Sequence, residues 1–194
     1  MVCGLAFAVL LPAGRIPMRA LSLVIIGLAM PVAAPATTLQ RLTMDEMIQK
    51  STSIVRAKVL GSHGAWRGPD IYTWYELEVL EGWKSGGTSK IEVAIPGGVE
   101  KGLRQVVAGA PSLTVGQEYV IFLWTSRSGL TQVIGLSQGL LSVKQTESGD
   151  AVLIRPAASD LMLDKNGHVV SDNTLMMQLS ELRARIQRVL GVGK

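Results

Sequence analysis

The sequence predicts a mainly β, antiparallel domain with a short helix at its start and an amphipathic helix at its end. Three observations carry that reading. Several runs alternate apolar and polar residues with a period of two. Stretches rich in Gly, Pro and Asn punctuate those runs at short intervals. Only the last segment of the chain sustains apolar residues at helical spacing over several turns.

The elements follow in order. Thr43 precedes Glu46 by three residues, a capping-box pattern, and Met44, Met47 and Ile48 supply an apolar stripe. This predicts a short helix from about Met44 to Lys50. In "SIVRAKVL" Val55, Ala57 and Val59 alternate with Arg56 and Lys58, a first strand. "GSHGAWRGPD" reads as a loop, and Ile71 to Glu81 as a long second strand with Ile71, Thr73, Tyr75, Leu77 and Val79 inward. An antiparallel pairing of the two would set Arg56 against Glu78 and Lys58 against Glu76. It would also set Leu60 beside Trp74 and Ser62 beside Tyr72.

"KIEVAIPGG" is a third strand and "GLRQVVAGA" a short fourth. "EYVIFLW" is apolar on both faces, as a central strand covered on both sides requires. "GLTQVIGL" continues the pattern, and "LLSVKQTESGDAVLIRP" predicts a hairpin about Glu147 to Asp150. Asn166-Gly167 marks a tight turn between apolar runs. In the last segment Leu175, Leu179, Leu182, Ile186 and Val189 form a helical stripe, with a cap at Ser171 to Asn173 and a stop at Gly191. Its other face, with Arg183, Arg185 and Arg188, is expected to be solvated.

Residues 1–36 contain no acidic residue and are mostly small or apolar. "MRALSLVIIGLAMPVAAPA" has a positive start at Arg19, an apolar middle, and an A-x-A site ending at Ala36. The expectation is a cleaved signal peptide over residues 1–36, a real start at Met18 as an alternative, and one exported domain over 37–194. The apolar run is too short, and too soon broken by Pro31, for a stable membrane span. The leader takes Arg15 and Arg19 out of 19 basic residues and none out of 15 acidic ones, leaving 17 and 15 and a net charge of +2. That mild balance, without Lys/Arg runs, offers no electrostatic footprint for nucleic acid. The one cysteine, Cys3, falls in the leader, so the remainder has no disulfide or thiolate chemistry.

The order of features resembles the netrin-like modules, the five-stranded OB-type barrels that include the tissue inhibitors of metalloproteinases. There a segment of the form "aDvVvrGkV" precedes a strand ending in "fKG", and "l-x-x-G-x-x-Y-l" follows. Here Ser53 to Val59, Trp83-Lys84 and Gly116-Gln117-Glu118-Tyr119-Val120 stand at those places. The resemblance covers about residues 51–123 and implies a single antiparallel OB-like barrel between the two helices. Netrin-like modules are usually held by disulfides, and the metalloproteinase inhibitors set an N-terminal cysteine on their target's zinc. This chain has neither, so the barrel is carried over and protease inhibition is not.

The candidate chemistry is thin. The histidines, His63 and His168, stand in a loop and beside a turn, away from any nucleophile-elbow pattern. "DKNG" at Asp164 to Gly167 lacks the spacing and the closing Glu of a calcium loop. Glu76 and Glu78 read as structural charge partners. The glycines of "IPGGVEKGLRQVVAG" open no helix, and that stretch reads as a flexible connection rather than a phosphate loop. No catalytic residue, cofactor or metal ligand is expected. Trp66, Arg67, Tyr72 and Trp74 remain, as aromatics and a cation at one end of the first hairpin. They are either a recognition surface or a second small core covered by the terminal helix or another strand. The expected function is a non-enzymatic binding module for an unknown protein or small ligand. An envelope assembly component is the alternative, and a hydrolase comes last; the oligomeric state is left open.

Overall fold

The computed structural model describes residues 38–85, 87–146, 149–158 and 160–191. They belong to one compact unit, Ala36–Lys194. The expected leader, residues 1–36, lies outside the described residues, as do Glu147 and Ser148 of the predicted hairpin turn.

The described residues open with β1 (Thr38–Gln40), α1 (Met44–Lys50), β2 (Ser53–Arg67) and β3 (Asp70–Lys84). Next come β4 (Lys90–Pro96), β5 (Gly98–Glu100), β6 (Leu103–Gln105), β7 (Glu118–Thr125) and β8 (Thr131–Val133). A 3-10 turn (Leu136–Gly139) leads into β9 (Leu140–Gln145) and β10 (Ala151–Arg155). The chain closes with β11 (Leu161–Leu163), β12 (Val169–Val170), β13 (Leu175–Gln178) and α2 (Leu179–Leu190). The described residues are therefore mainly β, with one helix near the start of the domain and one at its end, as expected.

The main sheet runs in the order β13-β10-β9-β7-β2-β3-β4, and β8 also pairs with β7. A barrel is not formed. Cα atoms of β4 and β8 come within 8 Å of one another, yet among the described residues no ladder joins these strands. The open apolar face is covered by chain that does not join the sheet: Leu113 of the β6–β7 connection is buried in that core, and Ala110 packs against it.

Two cores lie on opposite faces of the central strands. One holds Ile54, Val120, Phe122, Leu141 and Leu153 against both helices. The other holds Val55, Ala57, Val59, Tyr75, Leu77 and Ile121. Along β7 the alternation sends Val120 and Phe122 to the first core and Tyr119, Ile121 and Leu123 to the second. The continuous apolar run of "EYVIFLW" has that cause. Each large side chain fully buried this way stabilises by roughly 1.5–3 kcal/mol.

The first hairpin is longer than the sequence predicts. "GSHGAW" continues β2, and β3 begins at Asp70, so only Gly68 and Pro69 form the connection. Gly68 takes φ 62, as a two-residue hairpin turn with glycine first demands. Register shifts occur between Ile54 and Val55, Arg56 and Ala57, and Val59 and Gly61. The bulges overturn the expected pairs: Arg56 opposes Glu81, Lys58 opposes Glu78, His63 opposes Trp74 and Ala65 opposes Tyr72. The charges repair elsewhere. Arg56 donates from Nε and Nη2 to Glu118 Oε2 at 3.0 and 2.8 Å, and Lys90 meets Glu76 at 2.6 Å.

Two further expectations change. The glycine-rich stretch after β4 is ordered as the β5–β6 hairpin, docked on β2 and β3, rather than a flexible connection. Leu175 to Gln178, assigned by periodicity to the last helix, is the strand β13 on the edge of β10. Met177 is buried there while Met176 is 66% exposed, an alternation that serves a sheet edge as well as a helix. Ladder bonds to β10 decide between them.

Candidate functional site

The aromatic tip of the β2–β3 hairpin divides between two faces. Residues directly opposed across an antiparallel pair project to the same side. Trp66 opposes Ile71 and so shares the face of Thr73 and Tyr75. Arg67 opposes Asp70, and so joins Tyr72 and Trp74 on the other face. The four residues expected to gather therefore do not. Trp66 is 45% exposed, whereas Tyr72 and Trp74 are half-buried, with ring centroids 6.4 Å apart. Trp74 lies between His63 on β2 and the buried Ala94 on β4, and its indole Nε1 is buried without a hydrogen-bond partner. Arg67 Nη2 donates to Ser128 Oγ at 3.1 Å.

A better-formed site lies at the helical end. The segment before α1 is held by buried Gln138, whose Oε1 accepts from Leu42 N at 2.8 Å and whose Nε2 donates to Gln40 O at 3.0 Å. Arg41 N extends the parallel β1–β11 ladder to Leu163 O at 2.8 Å. The helix then opens as its sequence predicts. Thr43 N donates to Glu46 Oε2 at 2.9 Å, and Glu46 N donates to Thr43 Oγ1 at 3.2 Å. The other Glu46 oxygen meets Lys165 Nζ at 3.0 Å, so the α1 start and the β11–β12 turn form two bridged lips. The Thr43 amide, with Lys165 and the Thr43 hydroxyl, holds the Glu46 carboxyl down to about 2.

Between these lips lies a cleft of about 600 Å³. Its apolar lining comes from Leu42, Met44, Met47, Val170 and Leu175. Arg41, Lys165, Arg185 and Arg155 bring cations to the same volume, against Glu46 and Asp164. Arg155 is anchored by Asp172, whose side chain is 2% exposed: Nη2 meets Oδ1 at 3.0 Å, and Ala158 N donates to Oδ2 at 2.9 Å. Burial alone would raise the Asp172 carboxyl, but Arg155 and the Ala158 amide outweigh it and hold it at about 2.

The two helices beside the cleft are fixed by the run Glu81 to Lys84 at the end of β3. Lys84 Nζ donates to the last carbonyls of α1, Ile48 O at 2.8 Å and Gln49 O at 2.7 Å, where a cation meets the negative end of the helix. Glu81 Oε1 accepts from Trp83 Nε1 at 2.7 Å and from Arg183 Nε of α2 at 2.8 Å. Burial opposes ionisation of Glu81, yet Arg183 and Trp83 leave its carboxyl below the ordinary range. Arg185 Nε donates to Asp45 Oδ1 at 2.7 Å, tying α2 to α1. Arg183 and Arg185 are thus internal clamps rather than a wholly solvated face.

The remaining sequence candidates take structural places. His63 lies within β2 rather than in a loop. Asp164 Oδ1 accepts from the amides of Asn166 at 2.8 Å and His168 at 2.9 Å, and Oδ2 lies 3.3 Å from His168 Nδ1. Those contacts close the β11–β12 turn. Among the described residues no group of three or more His, Cys, Asp or Glu is placed to hold a metal ion, and no helix is long and apolar enough to cross a membrane. Sequence reasoning found Thr43 and Glu46 as a cap but missed the cleft. Arg41, Arg155 and Lys165 stand far apart along the chain, and the signal that could have found them is weak: isolated cations beside apolar runs. No protein-family model matches this chain, and no curated protein matches it.

Proposed function

We propose that this chain is an exported, non-catalytic β domain that binds a small ligand in the cleft beside α1. The observation that carries the proposal is the convergence, on one volume of about 600 Å³, of an apolar lining and several cations. Ligand sites are commonly clefts of roughly 300–1,000 Å³ with apolar walls and a few convergent polar groups. The hairpin tip is a weaker candidate, because Trp66 lies on the opposite sheet face from Arg67, Tyr72 and Trp74, and Arg67 already donates to Ser128. Export is supported by the leader-like residues 1–36. The non-catalytic reading is supported by the use of the Asp164–His168 contact in turn closure.

The test is occupancy. Val170 is half-buried and lines the cleft, so Val170→Trp should fill it while leaving both cores intact. An environment-sensitive apolar dye should bind the wild-type protein and lose most of its affinity for the variant. A folded Val170→Trp protein that binds the dye as the wild type does would remove the cleft as the site.

A further inference from the structure

We infer that the cleft takes an amphipathic anion, an apolar chain ending in a carboxylate or phosphate. This rests on reading the cleft as the ligand site and adds the chemical class of its ligand.

Each acidic group that lines or borders the cleft is already occupied. Glu46 accepts from the Thr43 amide and hydroxyl and pairs with Lys165. Asp164 accepts two backbone amides in its own turn. Asp45 accepts from Arg185, and Asp172 from Arg155 and Ala158. The donors are less fully occupied. Arg41 is exposed at the cleft, and among the described residues its guanidinium has no hydrogen bond or ion pair. The Lys165 side chain, 69% exposed, has Glu46 as its one partner among the described residues, which leaves further N–H donors on the ammonium. Arg41 brings five N–H donors in a planar fork suited to carboxylate or phosphate. Among the described residues every carboxylate at the cleft already has a partner while cationic donors remain, so a ligand that fits it brings a further anionic acceptor.

The rest of the ligand follows from the lining. Met44 and Met47, unbranched and polarizable, lie beside Leu42 and Leu175. Such a surface adapts to a flexible hydrocarbon chain better than to a rigid polar one. A cationic head would meet Arg41, Lys165, Arg185 and Arg155 without an unpaired carboxylate to receive it.

The experiment compares four probes with one ten-carbon tail: decanoate, decyl phosphate, decanol and decyltrimethylammonium, all below their micelle concentrations. Binding is read from the methyl NMR signals of Met44 and Met47, which report filling of the lining whatever the head group. Decanoate, decyl phosphate or both should shift those signals with an affinity about tenfold above decanol, the effect of one charge-assisted hydrogen bond. The better of the two names the head group. Arg41→Gln and Lys165→Gln should each weaken the anion several-fold and leave decanol unchanged. Equal affinity for decanol, or tighter binding of the ammonium probe, would overturn the anion assignment while the cleft reading stands. Methyl signals that respond to none of the four probes would remove both.

Discussion

Asp172 shows how much a single buried side chain can decide. Its carboxylate is almost wholly enclosed and receives both the Arg155 guanidinium and the Ala158 amide. A carboxyl held at about 2 in the folded chain, against an ordinary value near 3.9 when unfolded, stabilises above the unfolded value. That contribution is lost as pH falls through the folded one. Between about pH 4 and pH 2 the wild type should therefore lose roughly 2 kcal/mol from this group. Glu46 acts in the same window and the same direction. Asp172→Asn should be destabilised at pH 7, because Arg155 is left without its counter-charge, and its stability should fall less between pH 4 and pH 2. Chemical denaturation across that range measures both; a variant that kept the wild-type acid slope would disprove the assignment. The capping box was legible at this scale, because Thr43 and Glu46 are three residues apart. Asp172 was not: its partner Arg155 is 17 positions away, and nothing local distinguishes it from a surface acid.

At the scale of elements, the β5–β6 hairpin depends on one missing side chain. A Cβ on Gly64 of β2 would stand 2.0 Å from Val99 O, so the hairpin backbone rests directly on that glycine. Gln105 ties the same hairpin to the first one, accepting from Ile71 N at 2.6 Å and donating to Asp70 at 3.1 Å. Gly64→Ala should displace the hairpin and cost about 1–3 kcal/mol, the usual penalty for overpacking. Hydrogen exchange should quicken in β5 and β6 while the amides of β7 keep their protection; unchanged exchange in the hairpin would refute the contact. The sequence marks Gly64 only as part of a loop, since a glycine required for close approach looks like a glycine required for a turn. The same ambiguity hid β13, where Leu175 fits the helical stripe of Leu179 and Leu182 and also, with Met177, a strand alternation.

Across the whole molecule, the helices matter because the sheet has two apolar faces and makes a core with them on only one. Leu182 and Ile186 of α2 and Ile48 of α1 are buried against Phe122 and Leu153 of the sheet. Leu182→Ala should cost about 2–5 kcal/mol. By joining α2 to α1 and the sheet, that core also positions Arg185 and Met47 at the cleft. A shift in thermal midpoint below about 2 °C would mean that α2 is not part of the cooperative core.

The sequence by itself determined the mainly β class, the α1 boundaries, the doubly buried strand β7, the β11–β12 turn and the end of α2. Each follows from residues a few positions apart, where periodicity, capping and turn chemistry act. The tertiary structure alone decided the bulged register of the first hairpin, the open sheet, the separation of Trp66 from Tyr72 and Trp74, and the cleft. Bulges move every later residue of a strand, and one position of slip exchanges the two faces. Open sheet and cleft both depend on which distant segments meet, as Leu113 meets the core of Val55, Tyr75 and Leu77, and Lys165 meets Glu46. Those meetings are set by competition among all the apolar surfaces of the chain for burial, a choice that no local stretch contains.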